Sequence, residues 1–448
     1  MDPPMEFEVT MADIAKTQRR PPPSADLCKR CQELPPAVTT RNEALCPACF
    51  TTYLRTKFTR HMEPFRVKPG TEVIRRKLLL ATSFGVASTV LLDLLHWHRS
   101  LQLQRARRAE YDIIVVHIDE TSVLGGDSNA ATQRLDLLRK RYDQFEFRCV
   151  PLQQVYEGQS PEEQTDVPLE EDAEKEGSPI QRLRALLASL NSRASQMDII
   201  SLLRARLLLE VAQAAGCEVV LLADSMTRMA AMVLAEVTKG RGHALPWLIS
   251  DGPTPYGTPL VRPLRDLSTN ELSHYLTFAS LWEFTTVPAP SPSTTTATAT
   301  AKPPTAAKNQ TIEEVMLRFF DDVSNTHLSA NVVRTAAKLH FPDDHDRIQR
   351  LGLCDTCGLP MDEDPKLRLA RARGLPTDVQ ASSNVDEPGE QAQAEAQVSG
   401  GVNELDEDAR IYCLEPPPGQ EGLKQRRCYA CRRSTLDAGT VDWPVKNR

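Results

Sequence analysis

A chain of 448 residues with 41% hydrophobic content is long enough for two or three domains and can build a real core. Its net charge of −7 is modest and averages over strong local asymmetry, while 33 prolines and several biased stretches argue that part of the chain stays outside any core. No run of 18 apolar residues is free of charge, which excludes a membrane span, and the first 24 residues lack the apolar stretch of a secretory signal.

In chain order, residues 1–24 are expected to be a disordered tail, followed by a cysteine-bearing segment, 25–70, whose later part is basic. Between 51 and 77, Arg55, Lys57, Arg60, Arg66, Lys68, Arg75, Arg76 and Lys77 stand against only Glu63 and Glu72. The stretch 71–285 alternates. Apolar, β-branched runs at 77–84, 111–119, 145–152 and 217–225 read as strands. Segments 87–108, 130–143, 198–216 and 226–240 read as helices, and 259–280 gives a short strand and then a helix capped by Ser268 or Thr269. Strands separated by helices predict parallel βαβ units, hence an α/β fold with a doubly wound parallel sheet. Cys149 and Cys217, on or beside apolar strands, are expected to be small buried hydrophobes. His96 and His98, which flank Trp97 without a spaced partner, are expected to be surface or capping residues.

Three segments interrupt the pattern: 157–178 with nine acids and one lysine, the low-complexity linker 286–310, and an insertion at 362–410 whose 378–408 stretch has nine acids and no base. None can bury enough apolar surface to offset its ordering entropy. The first lies inside the α/β region, and the linker 286–310 separates that region from a C-terminal part, 311–448, expected to contain a helix, a second cysteine module and the third insertion.

Eight of the eleven cysteines form four C-x-x-C pairs. Without a secretory signal this spacing favours metal over disulfides and places the chain in the cytosol or nucleus. Cys28-x-x-Cys31 and Cys46-x-x-Cys49 are separated by 14 residues, so two knuckles can close a tetrahedron of sulfurs around zinc. Cys354-x-x-Cys357 and Cys428-x-x-Cys431 are 70 residues apart, but loop-closure cost grows only with the logarithm of length. Cys413 is a candidate spare ligand, with the C-x-x-C members favoured over it. Closed sites of four cysteines are structural, so two structural zincs are expected; spacing prefers zinc over an iron–sulfur cluster.

The stretch "LLLATSFGVASTVLLDLL" (78–95) has the layout of a strand, a phosphate-cradling turn and a helix N-terminus. Its turn, Ser83-Phe84-Gly85-Val86-Ala87-Ser88, keeps the frame of the S-G-G-x-D-S pyrophosphate loop. Phe84 replaces a glycine and would crowd the anion site, and Ala87 replaces the carboxylate.

Five passages together resemble the cytoplasmic tRNA 2-thiolation protein 2 family: "CKRC…LCPACF..YLRTKF", "LLLATSFGVASTVLLDLL", "LLADSMTRMAAMVLAEVTKGRG", "VRPLRDLSTNELSHYL" and "CDTCGLPM…CYACRR". The resemblance spans Cys28 to Cys431 apart from the three interruptions. It implies a cytoplasmic protein of pyrophosphate-loop ATPase (adenine nucleotide alpha-hydrolase-like) fold, the degenerate partner in a heterodimer. The active thiolase subunit adenylates the wobble uridine of certain tRNAs, and a ubiquitin-related carrier delivers sulfur. Near the nucleotide this chain offers only Asp224 and Ser225, and the region matching the sulfur-handling helix, 191–206, has no cysteine. No catalytic residue and no bound ATP are therefore expected. The expected tRNA contacts are Arg55, Lys57, Arg60, Arg105, Arg107, Arg108, Arg426, Arg427, Arg432 and Arg433, with Arg99 and Lys424 beside them, through salt-sensitive phosphate neutralisation. Tyr53, Phe58 and Phe65 are read as core of the first zinc module rather than base-stacking residues. Two alternatives stand: a catalytically active ATP-dependent tRNA-adenylating sulfurtransferase with an altered phosphate loop, kept open by Ser83, Gly85 and Ser88, and a zinc-ribbon scaffold without RNA contact.

Overall fold

The computed structural model describes residues 27–68, 75–126, 128–157, 177–286, 310–323, 326–339, 352–361, 427–435 and 443–444. The predicted tail, the linker residues 287–309, the acidic insertions at 158–176 and 362–410, Cys413, Lys424 and Arg426 lie outside the described residues. The chain divides into two compact units, Met1–Lys57 and Phe58–Arg448.

In the first unit, β1 (Val38–Thr40) and β2 (Glu43–Leu45) form an antiparallel hairpin. Its two-residue turn places Arg41 at φ 45° and Asn42 at φ 65°, the paired left-handed geometry that matches strand twist. Helix α1 (Pro47–His61) follows, with proline at its first position, where a missing N–H costs nothing. Leu45, Phe50 and Leu54 are fully buried.

The second unit is built on a parallel sheet of β3 (Arg76–Ala81), β4 (Tyr111–Asp119), β5 (Glu146–Pro151), β6 (Val219–Leu221) and β7 (Leu260–Val261), ordered β5-β4-β3-β6-β7. The first strand, β3, lies in the middle, with Leu79 paired to Ile114 on one side and Val220 on the other. The order reverses between β3 and β6, which creates the crevice at the carboxyl ends of the strands where doubly wound sheets bind ligands. Helices α2 (Val86–Ala106), α3 (Thr121–Leu124), α4 (Ser128–Arg141), α5 (Pro179–Ala188), α6 (Arg193–Ala214), α7 (Met226–Lys239), α8 (Leu245–Ile249) and α9 (Thr269–Ala279) fill the connections. Leu79, Ile114, Val116, Val150 and Val220 form one core with α5 and α6. The alternate residues Leu78, Leu80, Ile113 and Val115 are buried as well, so both faces of the sheet are covered. Asp93 of α2 accepts from Tyr142 at 2.9 Å and from Tyr275 of α9 at 2.8 Å. Helices α10 (Ile312–Val323) and α11 (Thr326–Ala336) join α7 in a further apolar cluster around Met229 and Phe320, and α12 (Tyr429–Ser434) carries the last two cysteines.

The doubly wound α/β reading holds, and Ser268 caps α9 in a reciprocal box with Glu271. Several local expectations change. The strand expected at 217–225 shrinks to β6, and α6 begins five residues before the expected 198, capped by Ser192, whose Oγ accepts from Ser195 N at 3.0 Å. His98 is not a surface residue. It is 5% exposed, shares a 2.7 Å hydrogen bond with the Tyr111 hydroxyl, and burial lowers its pKa to about 4. His96 is half-buried beside Tyr142 and Phe145. Cys149 is exposed on β5, whereas Cys217 is buried as expected. Within the second unit, which begins at Phe58 inside α1, Phe58 and Phe65 are buried against His98 and Tyr111, whereas Tyr53 lies beneath Lys57 and Arg30 within the first.

Candidate functional site

The turn at 82–85 connects β3 to α2 at the reversal point of the sheet. Phe84 sits at φ 55°, the left-handed conformation that suits glycine. Its ring is 2% exposed and lies on the imidazole of His117 from β4, centroids 4.4 Å apart. His117 is tied by Nδ1 to the Thr82 carbonyl at 3.0 Å, and burial lowers its pKa. Two carbonyls of the turn are already bonded. The Phe84 carbonyl accepts from Thr286 N at 2.8 Å, and the Gly85 carbonyl accepts from Thr89 N at 3.1 Å and Ser88 Oγ at 3.0 Å. Ser88 is thus buried and bonded inward, Ser83 is exposed, and Ala87 supplies no acceptor.

Across the crevice, Asp224 accepts from Arg228 Nε at 3.1 Å and pairs with Arg262, whose Nε is 3.3 Å away. Ser225 caps α7 by accepting from Arg228 N at 3.2 Å and meets Thr269 Oγ1 at 3.0 Å. Both polar groups singled out in the sequence are engaged in holding β6 to α7, β7 and α9.

The two cysteine quartets are assembled. Within each, the four sulfurs lie within 4.8 Å of one another, so either could hold a metal ion. Cys31 and Cys46 sulfurs are 3.8 Å apart, and Cys357 and Cys428 sulfurs 3.9 Å. In the first quartet the turn before β1 supplies Cys28 and Cys31, and the junction of β2 with α1 supplies Cys46 and Cys49; Cys28 and Cys46 are buried while Cys31 and Cys49 are half-exposed. Burial raises the Cys28 thiol, but hydrogen bonds from Cys31, Cys46 and Arg30 outweigh it and bring the pKa to about 6. Burial and the neighbouring thiols push Cys49 to about 12. In the second quartet all four are buried; hydrogen bonds from the other three sulfurs hold Cys354 far below an ordinary thiol, while those from Cys354 and Cys428 push Cys357 and Cys431 above it. Cys428 N donates to Cys354 Sγ at 3.3 Å, linking knuckles 70 residues apart in sequence.

Side chains outside the motifs surround this second quartet. Tyr256 donates to the Cys357 carbonyl at 2.6 Å. At Gly358, with φ 68°, a Cβ would fall 2.1 Å from Arg206 Nη1; at Gly240, with φ 88°, it would fall 2.4 Å from the Tyr429 ring. Arg241 reaches the Cys431 sulfur at 3.7 Å. The sequence reading missed Arg241, Asp198, Lys239, Tyr256 and Ser434. Asp198 and Lys239 fall inside segments read only as helices, Arg241 lies in the quoted "KGRG", and basic residues after a helix normally read as a solvated end.

Of the expected RNA contacts, Arg60, Arg105, Arg107 and Arg433 are exposed, and Arg55, Lys57, Arg108, Arg427 and Arg432 are half-buried. Arg108 donates to the Lys68 carbonyl at 2.7 Å and Arg427 to Thr435 Oγ1 at 2.9 Å. Arg99 is paired with Asp112 at 3.0 Å.

A profile of the family described as cytoplasmic tRNA 2-thiolation protein 2 matches residues 311–433. Proteins of that name from Phaeosphaeria nodorum and Pyrenophora tritici-repentis are 34% and 33% identical over 343 and 340 residues, covering 75% of this chain and 85% of each relative. The protein of that name from Sclerotinia sclerotiorum is 35% identical over 312 residues, 68% of this chain and 80% of its own. Among solved structures, the U34-tRNA thiolase NcsA from Methanococcus maripaludis, described with its 4Fe-4S cluster, gives a TM-score of 0.46 at 15% identity over 70% of this chain and 86% of that one. The extent and level of identity with the curated relatives settle the family: this chain belongs to the cytoplasmic tRNA 2-thiolation protein 2 family.

Proposed function

We propose that this chain acts in the cytoplasm, in 2-thiolation of tRNA as its relatives' name states, as a non-catalytic subunit that binds tRNA and an active thiolase partner. On this reading the partner performs adenylation of the wobble uridine, and a ubiquitin-related carrier supplies its sulfur. The observation that carries the non-catalytic part is the committed turn: Phe84 fills a glycine position with its ring on His117, Ala87 has no carboxylate, and Ser88 bonds the Gly85 carbonyl. Opposite, Asp224 is engaged by Arg228 and Arg262. Of the residues that match the active loop, Ser88 and Asp224 are engaged and Ala87 lacks a carboxylate, which supports a chain without its own base or magnesium ligand.

Each cysteine quartet holds one structural zinc in this proposal. A zinc–sulfur bond of about 2.3 Å in a regular tetrahedron separates sulfurs by about 3.8 Å. The separations of 3.8 Å between Cys31 and Cys46 and 3.9 Å between Cys357 and Cys428 fit a single ion in each quartet. A four-iron cluster attaches each thiolate to a different iron and would spread them wider than the 4.8 Å limit seen here. The zinc supplies no chemistry beyond holding the knuckles together. The exposed Arg60, Arg105, Arg107 and Arg433, with Arg55, Lys57, Arg108, Arg426, Arg427 and Arg432, would neutralise tRNA phosphates.

Calorimetry of the purified chain with magnesium and ATP tests the reading. Absence of heat up to millimolar ATP is the expected result. Micromolar binding would transfer the assignment to an active, altered-loop sulfurtransferase.

A further inference from the structure

The last sulfur of the C-terminal quartet meets a side chain that belongs to neither cysteine motif. Arg241 follows α7 and is 2% exposed. Its fork grips Asp198 of α6, Nη1 to Oδ1 at 2.8 Å and Nη2 to Oδ2 at 2.5 Å, and Nη1 also donates to Glu236 at 3.1 Å. The same Nη2 lies 3.7 Å from Cys431 Sγ. Asp198 Oδ2 accepts in addition from Ser434 Oγ at 2.9 Å, three residues beyond Cys431 on α12. The contacts close a ring, Cys431–Arg241–Asp198–Ser434, that fastens α12 at a ligand sulfur and at a hydroxyl. The carboxylate group Asp198, Glu236 and Glu313 is not a cation site in its own right, because the Lys239 ammonium already bonds all three.

Charge explains why such a ring is useful. Four thiolates on one zinc carry a net charge of about −2. The four sulfur-bearing residues here are at most 2% exposed, so water cannot screen that charge. A guanidinium that donates N–H to sulfur offsets it and fixes the ligand's direction, the role that outer-shell partners play at metal sites. The first quartet is built otherwise: Cys31 and Cys49 are half-exposed, and Arg30 and Lys29 within its first knuckle are turned to Glu43 and the Asn42 carbonyl.

We propose that Arg241 is a positioning residue for the C-terminal metal: bound at once to Asp198 and Cys431, it locks α12 on the α/β body and makes this metal far slower to leave than the N-terminal one. The inference rests on the reading of both quartets as zinc sites.

The test uses the full chain, isolated with its metal and mixed with excess chelating dye. Wild type is expected to release two equivalents of zinc in a fast and a slow phase, and Cys31→Ser to remove the fast one. Arg241→Lys, which keeps the buried positive charge but not the fork, should speed the slow phase by about tenfold or more and leave the fast phase alone. In cobalt-substituted chain, the same variant should shift the thiolate-to-metal band of the C-terminal site, which mere loosening of the fold would not move. Arg241→Met should act more strongly, and if it does not fold, Arg241→Lys decides. A slow phase unchanged within twofold and an unshifted band in Arg241→Lys overturn the role of Arg241 while leaving the zinc reading intact. A wild-type chain isolated without zinc overturns the reading beneath it, and the inference with it.

Discussion

The Phe84 ring rests on His117 with centroids 4.4 Å apart, while the Phe84 backbone stands in the left-handed region at φ 55°. The two facts belong together. A non-glycine residue in that region costs about 1–2 kcal/mol. Burying a phenylalanine side chain returns about 1.5–3 kcal/mol. A turn shaped for glycine can therefore keep a phenylalanine, provided that the ring finds an apolar seat.

That balance predicts an inverted order of substitutions. Phe84→Ala removes the ring and retains the strained backbone, for a loss of about 3–5 kcal/mol. Phe84→Gly removes both and should be less harmful by about 1 kcal/mol. Urea unfolding of the two variants measures the difference. Alanine equal to or better than glycine would mean that the left-handed backbone is not strained.

The sheet was legible in the sequence because strands buried on both faces appear as continuous β-branched runs, as in "YDIIVVHID", between helices with apolar stripes. The cysteine quartets were legible because ligands arrive in tight pairs whatever the chain does between them. His98 was misread although its signal was present: Leu91, Leu95, His98 and Gln102 follow helical spacing, and all four are buried. Asp198 and Arg241 were not legible. They are 43 residues apart, and a buried charge makes sense only once its partner is known.

His98 gives a pH prediction. Burial holds its pKa at about 4, against about 6.5 in an unfolded chain. Between these values the unfolded state binds the extra proton, so stability is whole above pH 6.5 and falls as the pH drops toward 4. The full effect is about 3 kcal/mol. His98→Gln should flatten the pH dependence of the urea midpoint between pH 6.5 and 4.5, with His117 and His274, both also lowered by burial, leaving a residual slope of the same sign. A variant with the wild-type slope would show that His98 is not the titrating group.

Arg105 and Arg107, exposed at the end of α2, test the RNA reading. Arg105→Glu/Arg107→Glu should weaken tRNA binding by the full chain and reduce the slope of log affinity against log salt by about 1–2, one unit per lost phosphate contact. The unfolding midpoint should hardly move, since neither side chain is buried. Unchanged affinity and slope would remove this helix end from the RNA surface.

Asp198 supports a stability prediction that reaches into the C-terminal module. Burial alone would raise its carboxyl, but Arg241 and Lys239 pull it well below the usual carboxylate range. Its contribution is therefore complete above the unfolded value of about 3.9 and is lost only as the pH falls below it. Asp198→Asn takes from Arg241 and Lys239 the carboxylate they share and leaves both buried cations on Glu236, with Glu313 also on Lys239; it should cost about 3–5 kcal/mol, by the same amount at pH 5 and at pH 8. Ser434→Ala, which removes only one hydrogen bond to the same carboxylate, should cost about 1 kcal/mol. Because the serine acts through Asp198, the double variant should cost little more than Asp198→Asn alone. Urea unfolding of the four chains at both pH values decides. Simple additivity would separate Ser434 from Asp198, and a pH 5 loss much smaller than that at pH 8 would mean that the carboxylate is not held ionised by its two cations.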